Sequence, residues 1–186
     1  MQFPSTTQIL RHFGLTRDYV QFGKPEQMQR GRLVTLACHL IADGKSLDAE
    51  GEPAGSWEAR HPECVPFIDA YRKFFKEHRV TLLEYEKEYR SEALRFISHP
   101  DQIGKLDNFG IVDLELKSGS MPDCCPLQTA GQVLAIGAPT MKRFALQLKD
   151  DGTYKLFPHE NFRDFDDFRA LINAYWVQQS YGVISE

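Results

Sequence analysis

HPDQIGKLDNFGIVDLELKSG, residues 99–119, is the stretch on which the reading of this chain turns. Asp107, Asn108 and Gly110 accept the tight backbone angles of a chain reversal, so the residues on either side predict two antiparallel strands. With the turn centred on Asn108, Asp101 and Glu115 stand opposite each other. Cross-strand neighbours on one face have Cβ atoms roughly 5 Å apart. Two carboxylates that close repel each other unless a cation lies between them. Carboxylate oxygens suit a hard ion such as Mg²⁺.

The second of these strands alternates strictly. Val112, Leu114 and Leu116 face one way, and Asp113, Glu115 and Lys117 face the other. The bland alternative is a surface strand with one solvated face, and charge alternation by itself favours it. Against that stand three features together. A carboxylate lies opposite on the partner strand, Lys117 follows Glu115 by two residues, and Ser118-Gly119 closes the strand.

The chain has 186 residues, enough for one domain over 1–186 with a core of its own. Hydrophobic residues make up 42% and charged residues 26%, as in ordinary globular proteins. A net charge of −4 speaks against a strongly basic coat for nucleic acid. It leaves room for a local basic groove, because phosphate contacts depend on nearby charge. No run approaches the roughly 20 apolar residues of a membrane span, so no membrane partner is expected. The opening MQFPSTTQIL lacks the basic and apolar regions of a secretory signal. The expected location is the cytoplasm. There Cys38, Cys64, Cys124 and Cys125 remain thiols. A zinc or cluster site built from His61, Cys64, Cys124 and Cys125 lacks the paired C-x-x-C spacing.

Outward from the hairpin, Ser5 or Thr6 caps a short helix ending near Gly14, and a second helix runs from Pro25 to about Gly44. Residues 45–66 read as a loop. A third helix, near Pro66 to His78, turns Phe67, Ile68, Tyr71, Phe74 and Phe75 inward. Three strands are predicted over about 81–90, 93–103 and 110–117. A helix over 126–136, a strand pair around 143–148 and 154–157, and an amphipathic helix over 162–178 complete the order. Asp150-Asp151-Gly152 turns the last strand pair. The fold class is α/β or α+β, a small mixed β-sheet flanked by helices.

Pro100-Asp101, Glu115-Leu116-Lys117 and Ser118-Gly119 resemble the conserved centre of the PD-(D/E)xK nucleases of the RecB-like, phage-exonuclease type. The resemblance runs from about Ser5 to Trp176 and includes the element order. Gln128, eleven residues after Lys117, is similar to the glutamine of that family's QxxxY segment. Glu86 stands fifteen residues before Asp101, where relatives carry a further acid. Two positions depart. Thr35 occupies the place of the helical histidine of an RGxxVH segment, with His39 one turn later, and Gln132 replaces the tyrosine of QxxxY. The first departure bears on metal affinity and Mn²⁺ preference, the second on contact with the nucleic-acid strand.

The resemblance implies a restriction-endonuclease-like core and a metal-dependent DNA nuclease. An exonuclease on DNA ends is expected, in phage or mobile-element recombination or repair. Asp101, Glu115 and the Leu116 backbone carbonyl hold one or two Mg²⁺ ions, with Mn²⁺ as substitute. Lys117 positions the attacking water, Gln128 orients Lys117 or holds a phosphate, and Glu86 is a further catalytic acid. Arg30, Arg32, Lys73 and Lys76 are the candidate phosphate contacts, and Tyr89 and Phe96 the candidate stacking residues. Processivity in a chain of this length calls for a homo-oligomer or a recombination partner protein. The alternative from another class is a catalytically silent module of the same fold that binds nucleic acid or a partner.

Overall fold

The reversal falls where the turn residues put it. Gly110 takes a φ of 78°, a left-handed conformation free of strain for glycine. On either side lie two antiparallel strands, β4 (Gln102–Leu106) and β5 (Gly110–Lys117). Gln102 pairs with Leu114 and Leu106 with Gly110, a register centred on Asn108. The computed structural model describes residues 2–16, 25–48 and 56–182. Part of the segment read as a loop over 45–66 lies outside the described residues.

β5 is the central strand of a five-stranded sheet in the order β1-β4-β5-β6-β7. β1 (Thr81–Tyr85) runs antiparallel to β4. β6 (Lys142–Leu148) runs parallel to β5, and β7 (Tyr154–Pro158) returns antiparallel to β6. β2 (Tyr89–Ser91) and β3 (Phe96–Ser98) form a separate two-stranded ribbon. The strands expected over 81–90 and 93–103 are therefore each broken in two. The first breaks at Glu86, which has a φ of 50°. The second breaks between β3 and β4, at Pro100, which has no amide hydrogen for a ladder.

Helices cover both faces of the sheet. α1 (Thr6–His12) starts in a capping box, with Ser5 accepting from the Gln8 amide at 3.2 Å. α2 (Pro25–Ala42) and α4 (Val65–Glu77) lie on one face, with the short α3 (Trp57–Arg60) between them in sequence. Val34, Cys38, Phe67, Ile68, Tyr71 and Phe74 bury there against Val112, Leu114, Leu116 and Leu146. Burying side chains of this size contributes about 1.5–3 kcal/mol each. α5 (Cys125–Ile136) and α6 (Arg163–Ser180) close the other face with α1, around Ile9, Leu10, Phe96, Val133, Phe168 and Ile172.

Two details set the position of α5. Gly137, at a φ of 78°, ends it with two backbone hydrogen bonds to the last turn. Gly131 sits where a methyl group would come within 2.6 Å of Phe168 and 2.8 Å of Thr6, so only glycine fits beneath α1 and α6. The architecture is α/β, a mixed sheet flanked by helices, consistent with a restriction-endonuclease-like core. Among the described residues no helix is long and apolar enough to cross a membrane.

Candidate active site

The charged face of β5 is buried rather than solvated. Asp113 is 0% and Glu115 2% exposed, because α5 lies across that face. The connection that allows this is the parallel step from β5 through α5 to β6, which needs a helix over the sheet.

Asp101 stands one residue before β4, and the register carries it to the level of Glu115. Its Oδ2 accepts the Leu116 amide at 2.7 Å, so the side chain is tied to the partner strand. Lys117 Nζ donates to Glu115 Oε1 at 2.5 Å and to Gln128 Oε1 at 3.3 Å. Gln128 Nε2 donates to the same Glu115 oxygen at 2.7 Å. Gln132 Nε2 donates to Glu115 Oε2 at 2.6 Å. The Glu86 amide donates to the Pro100 carbonyl at 3.1 Å, which brings that acid beside Asp101.

The charges act on one another as their spacing demands. Burial, then Glu115, raise the Asp101 carboxyl well above its usual range, and Glu86 adds to the rise against Lys117 and the Leu116 amide. Burial raises Glu86 too, with His99 opposing and Glu115 adding. For Lys117, burial pulls the ammonium down, yet Glu115 and Asp101 outweigh it and hold the group above its ordinary value. Beside it, burial pushes the Cys125 thiol up to about 12, so this cysteine stays neutral.

These groups open on a cleft of about 910 Å³ lined by Asp101, Glu86, Lys117 and Gln128, with α2 along one side. Glu115 sits behind the lining, reached through Lys117 and Gln128. Arg30 and Arg32 both line the cleft. The Arg30 guanidinium lies 4.8 Å over the Phe67 ring and donates to the Ser118 carbonyl at 3.4 Å. Lys73 and Lys76 do not join them. They occupy the exposed face of α4, whose other face is committed to the core. Of the stacking candidates, Phe96 is wholly buried against Phe168, and the Tyr89 hydroxyl is bound to Glu84.

Two residues of the site were not assigned from sequence. Gln132, read as a missing tyrosine, is a donor to Glu115, and its spacing of four from Gln128 is the signal that puts both on one face of α5. His39, ordinarily a satisfied core residue, is 4% exposed and lines the cleft. Burial lowers its imidazole below the ordinary value, while a hydrogen bond with the Asp101 backbone opposes this. Its Nε2 has no hydrogen-bond partner among the described residues. The four cysteines are buried free thiols. Among the described residues no three His, Cys, Asp or Glu side chains gather into a metal-holding group.

No protein-family model matches the chain, and no curated protein matches it either. Solved structures do. An alkaline exonuclease from Laribacter hongkongensis is similar at 13% identity, over 98% of this chain and 95% of that one, with a TM-score of 0.43. The same exonuclease in complex with dAMP is similar at 12% identity over the same shares, with a TM-score of 0.36. Likeness at this level says nothing about chemistry, which is read from the site alone.

Proposed function

We propose that this protein is a metal-dependent DNA nuclease that hydrolyses phosphodiester bonds in the cleft between α2 and β5. One observation carries the reading. Asp101, Glu115 and Lys117 meet at the ends of paired strands, below a cleft bordered by Arg30 and Arg32.

The donor set fits Mg²⁺. Asp101, Glu115 and Glu86 press negative charge on one another, and one ammonium stands against them. A site with two carboxylates and no third side-chain ligand suits an ion that keeps several waters and takes substrate phosphate as ligand. Asp101, Glu115 and the Leu116 carbonyl would hold Mg²⁺ (or Mn²⁺), which would supply a more acidic bound water and a polarised phosphoryl oxygen. Glu86 and His39 line the same cleft. Lys117 offsets the charge that develops on the phosphoryl oxygens as water adds and the leaving oxygen departs. Gln128 fixes the direction of that ammonium. Arg30 and Arg32 hold flanking phosphates. The resemblance to phage-type exonucleases directs the proposal to DNA ends, in recombination or repair, with oligomerisation or a partner protein supplying processivity.

The test is incubation with labelled linear duplex, circular duplex and single-stranded DNA in Mg²⁺, Mn²⁺ or EDTA, beside Asp101→Ala, Glu115→Ala and Lys117→Ala. Metal-dependent cleavage lost in the variants is the expected result, with circles spared by an exonuclease. Full activity in all three variants sinks the assignment. The second reading, a silent DNA-binding module, draws on one observation. Both oxygens of Glu115 already accept hydrogen bonds from the protein. Binding of DNA without cleavage in any metal selects it.

A further inference from the structure

Tyr85 ends β1 directly opposite Gln102, the neighbour of Asp101. A register irregularity between Leu82 and Glu84 re-aims the end of this strand. The left-handed turn at Glu86 then carries the chain away at once and leaves the Tyr85 ring at the rim of the cleft, 40% exposed. The covered face of the ring lies on His39, with centroids 4.7 Å apart and planes tilted by 33°. His39 in turn is buried and lines the same cleft as Asp101. A flat, half-open aromatic surface thus rests on one buried side chain within the cleft that Asp101 lines. Leu36, on the α2 turn before His39, lines the same cleft and is exposed.

We infer that Tyr85 is a stacking platform for an unpaired DNA base next to the scissile phosphate, so that the substrate is a single-stranded or frayed DNA terminus. This rests on the nuclease reading of the same cleft. A nucleotide offers a flat apolar face and an anionic backbone, and the cleft answers with Tyr85 and Leu36 for the first and Arg30 and Arg32 for the second. Inside a duplex both faces of a base are covered by its neighbours, so only an unpaired or terminal base can lie on the ring. The ring needs little ordering on binding, because His39 already holds it. Lys45 lies within electrostatic reach of Tyr85, although it is paired with Asp43 at 2.5 Å.

The experiment uses short single-stranded oligodeoxynucleotides with 2-aminopurine at the 5′ end, at the 3′ end or internally, bound in EDTA or Ca²⁺. Stacking on an aromatic ring quenches this base, and anisotropy of a distal dye reports binding separately. Saturable quenching at one terminal placement is expected for the wild type and for Tyr85→Phe. Tyr85→Leu and Tyr85→Ala lose it, and their affinity falls about ten- to hundredfold. Tyr85→Leu keeps apolar bulk at an exposed site, so an unchanged melting temperature separates lost stacking from lost folding. Equal quenching in all variants, bound strands without quenching, or no binding of single strands overturns the platform. Cleavage of the same strands in Mg²⁺ is scored apart. Cleavage without quenching removes the platform and leaves the nuclease. Quenching without cleavage overturns the placement beside a scissile phosphate and selects the silent DNA-binding module.

Discussion

Gln132 Nε2 donates to Glu115 Oε2 at 2.6 Å, from a position one helical turn beyond Gln128, whose Nε2 reaches the other oxygen at 2.7 Å. Each oxygen of the carboxylate therefore has its own amide donor, and one helix fixes the plane of the group. Gln132 is buried, and its own Oε1 has no partner among the described residues. A buried polar atom without a partner costs stability.

Gln132→Met keeps the volume and removes the donor. The melting temperature should fall, because buried Glu115 Oε2 loses its donor, although the loss of the orphaned Gln132 Oε1 offsets part of that cost. Affinity for Mg²⁺ or Mn²⁺, read by calorimetric titration, should weaken about ten- to hundredfold, as for other groups that orient a metal-binding carboxylate. Gln132→Glu, which sets a third acid against Glu115, should be worse than Met. Unchanged metal affinity in both variants would remove Gln132 from the site.

Lys117→Met takes away the ammonium that stands against Asp101 and Glu115. Cleavage should fall by at least about a hundredfold at saturating DNA, since a charge aimed at the transition state is lost. Single-strand binding in EDTA should change much less. A cleavage rate within a few-fold of wild type would show that the lysine is only an ion-pair partner.

Asp113 is buried with no hydrogen bond to either oxygen among the described residues. Burial first, then Glu115 and Asp101, raise its carboxyl well above the ordinary value, against Arg143. A carboxyl that keeps its proton longer in the folded state stabilises at low pH. That contribution is lost as pH rises above the unfolded value of 3.8 toward the folded one. Asp113→Asn should therefore gain in melting temperature over the wild type, by a margin that widens from pH 5 to pH 8. A margin that does not vary with pH would contradict this account.

His159 has the opposite sign. Burial, then Arg143, lower it from 6.5 to about 4, while its Nδ1 lies 2.9 Å from the Thr129 hydroxyl. Between those values the unfolded chain takes up a proton that the folded chain refuses, so stability falls as pH drops from about 6.5 toward 4 and levels off below. His39 adds in the same direction. Thermal melts across this range should give a flatter profile for His159→Gln than for wild type, with residual slope from His39.

The hairpin was legible because its signals are local. Asp107, Asn108 and Gly110 mark the turn, and the alternation of β5 sets its register. The fate of the charged face was not, because it depends on α5 folding back over β5 after residues 118–124. The same helix decides Gln132, which in sequence is only an unexpected residue in a pattern. The break at Glu86 was also hidden, since it takes a positive φ that its residue type does not advertise. The cations divide for a similar reason. Arg30 and Arg32 belong to the helix along the cleft, whereas Lys73 and Lys76 ride on α4, whose orientation is set by five buried residues of its inner face.

Gly131 lies on α5 between the two glutamines that grip Glu115, pressed against Phe168 and Thr6. The spacing between helices on that side of the molecule is therefore also the reach of two amide groups toward one carboxylate. A side chain at position 131 would lift the helix and loosen both grips together, though it touches no charged group. The tolerance of the site is in this way set by the thickness of a helix contact on its far side, and packing there carries the same constraint as the acids themselves.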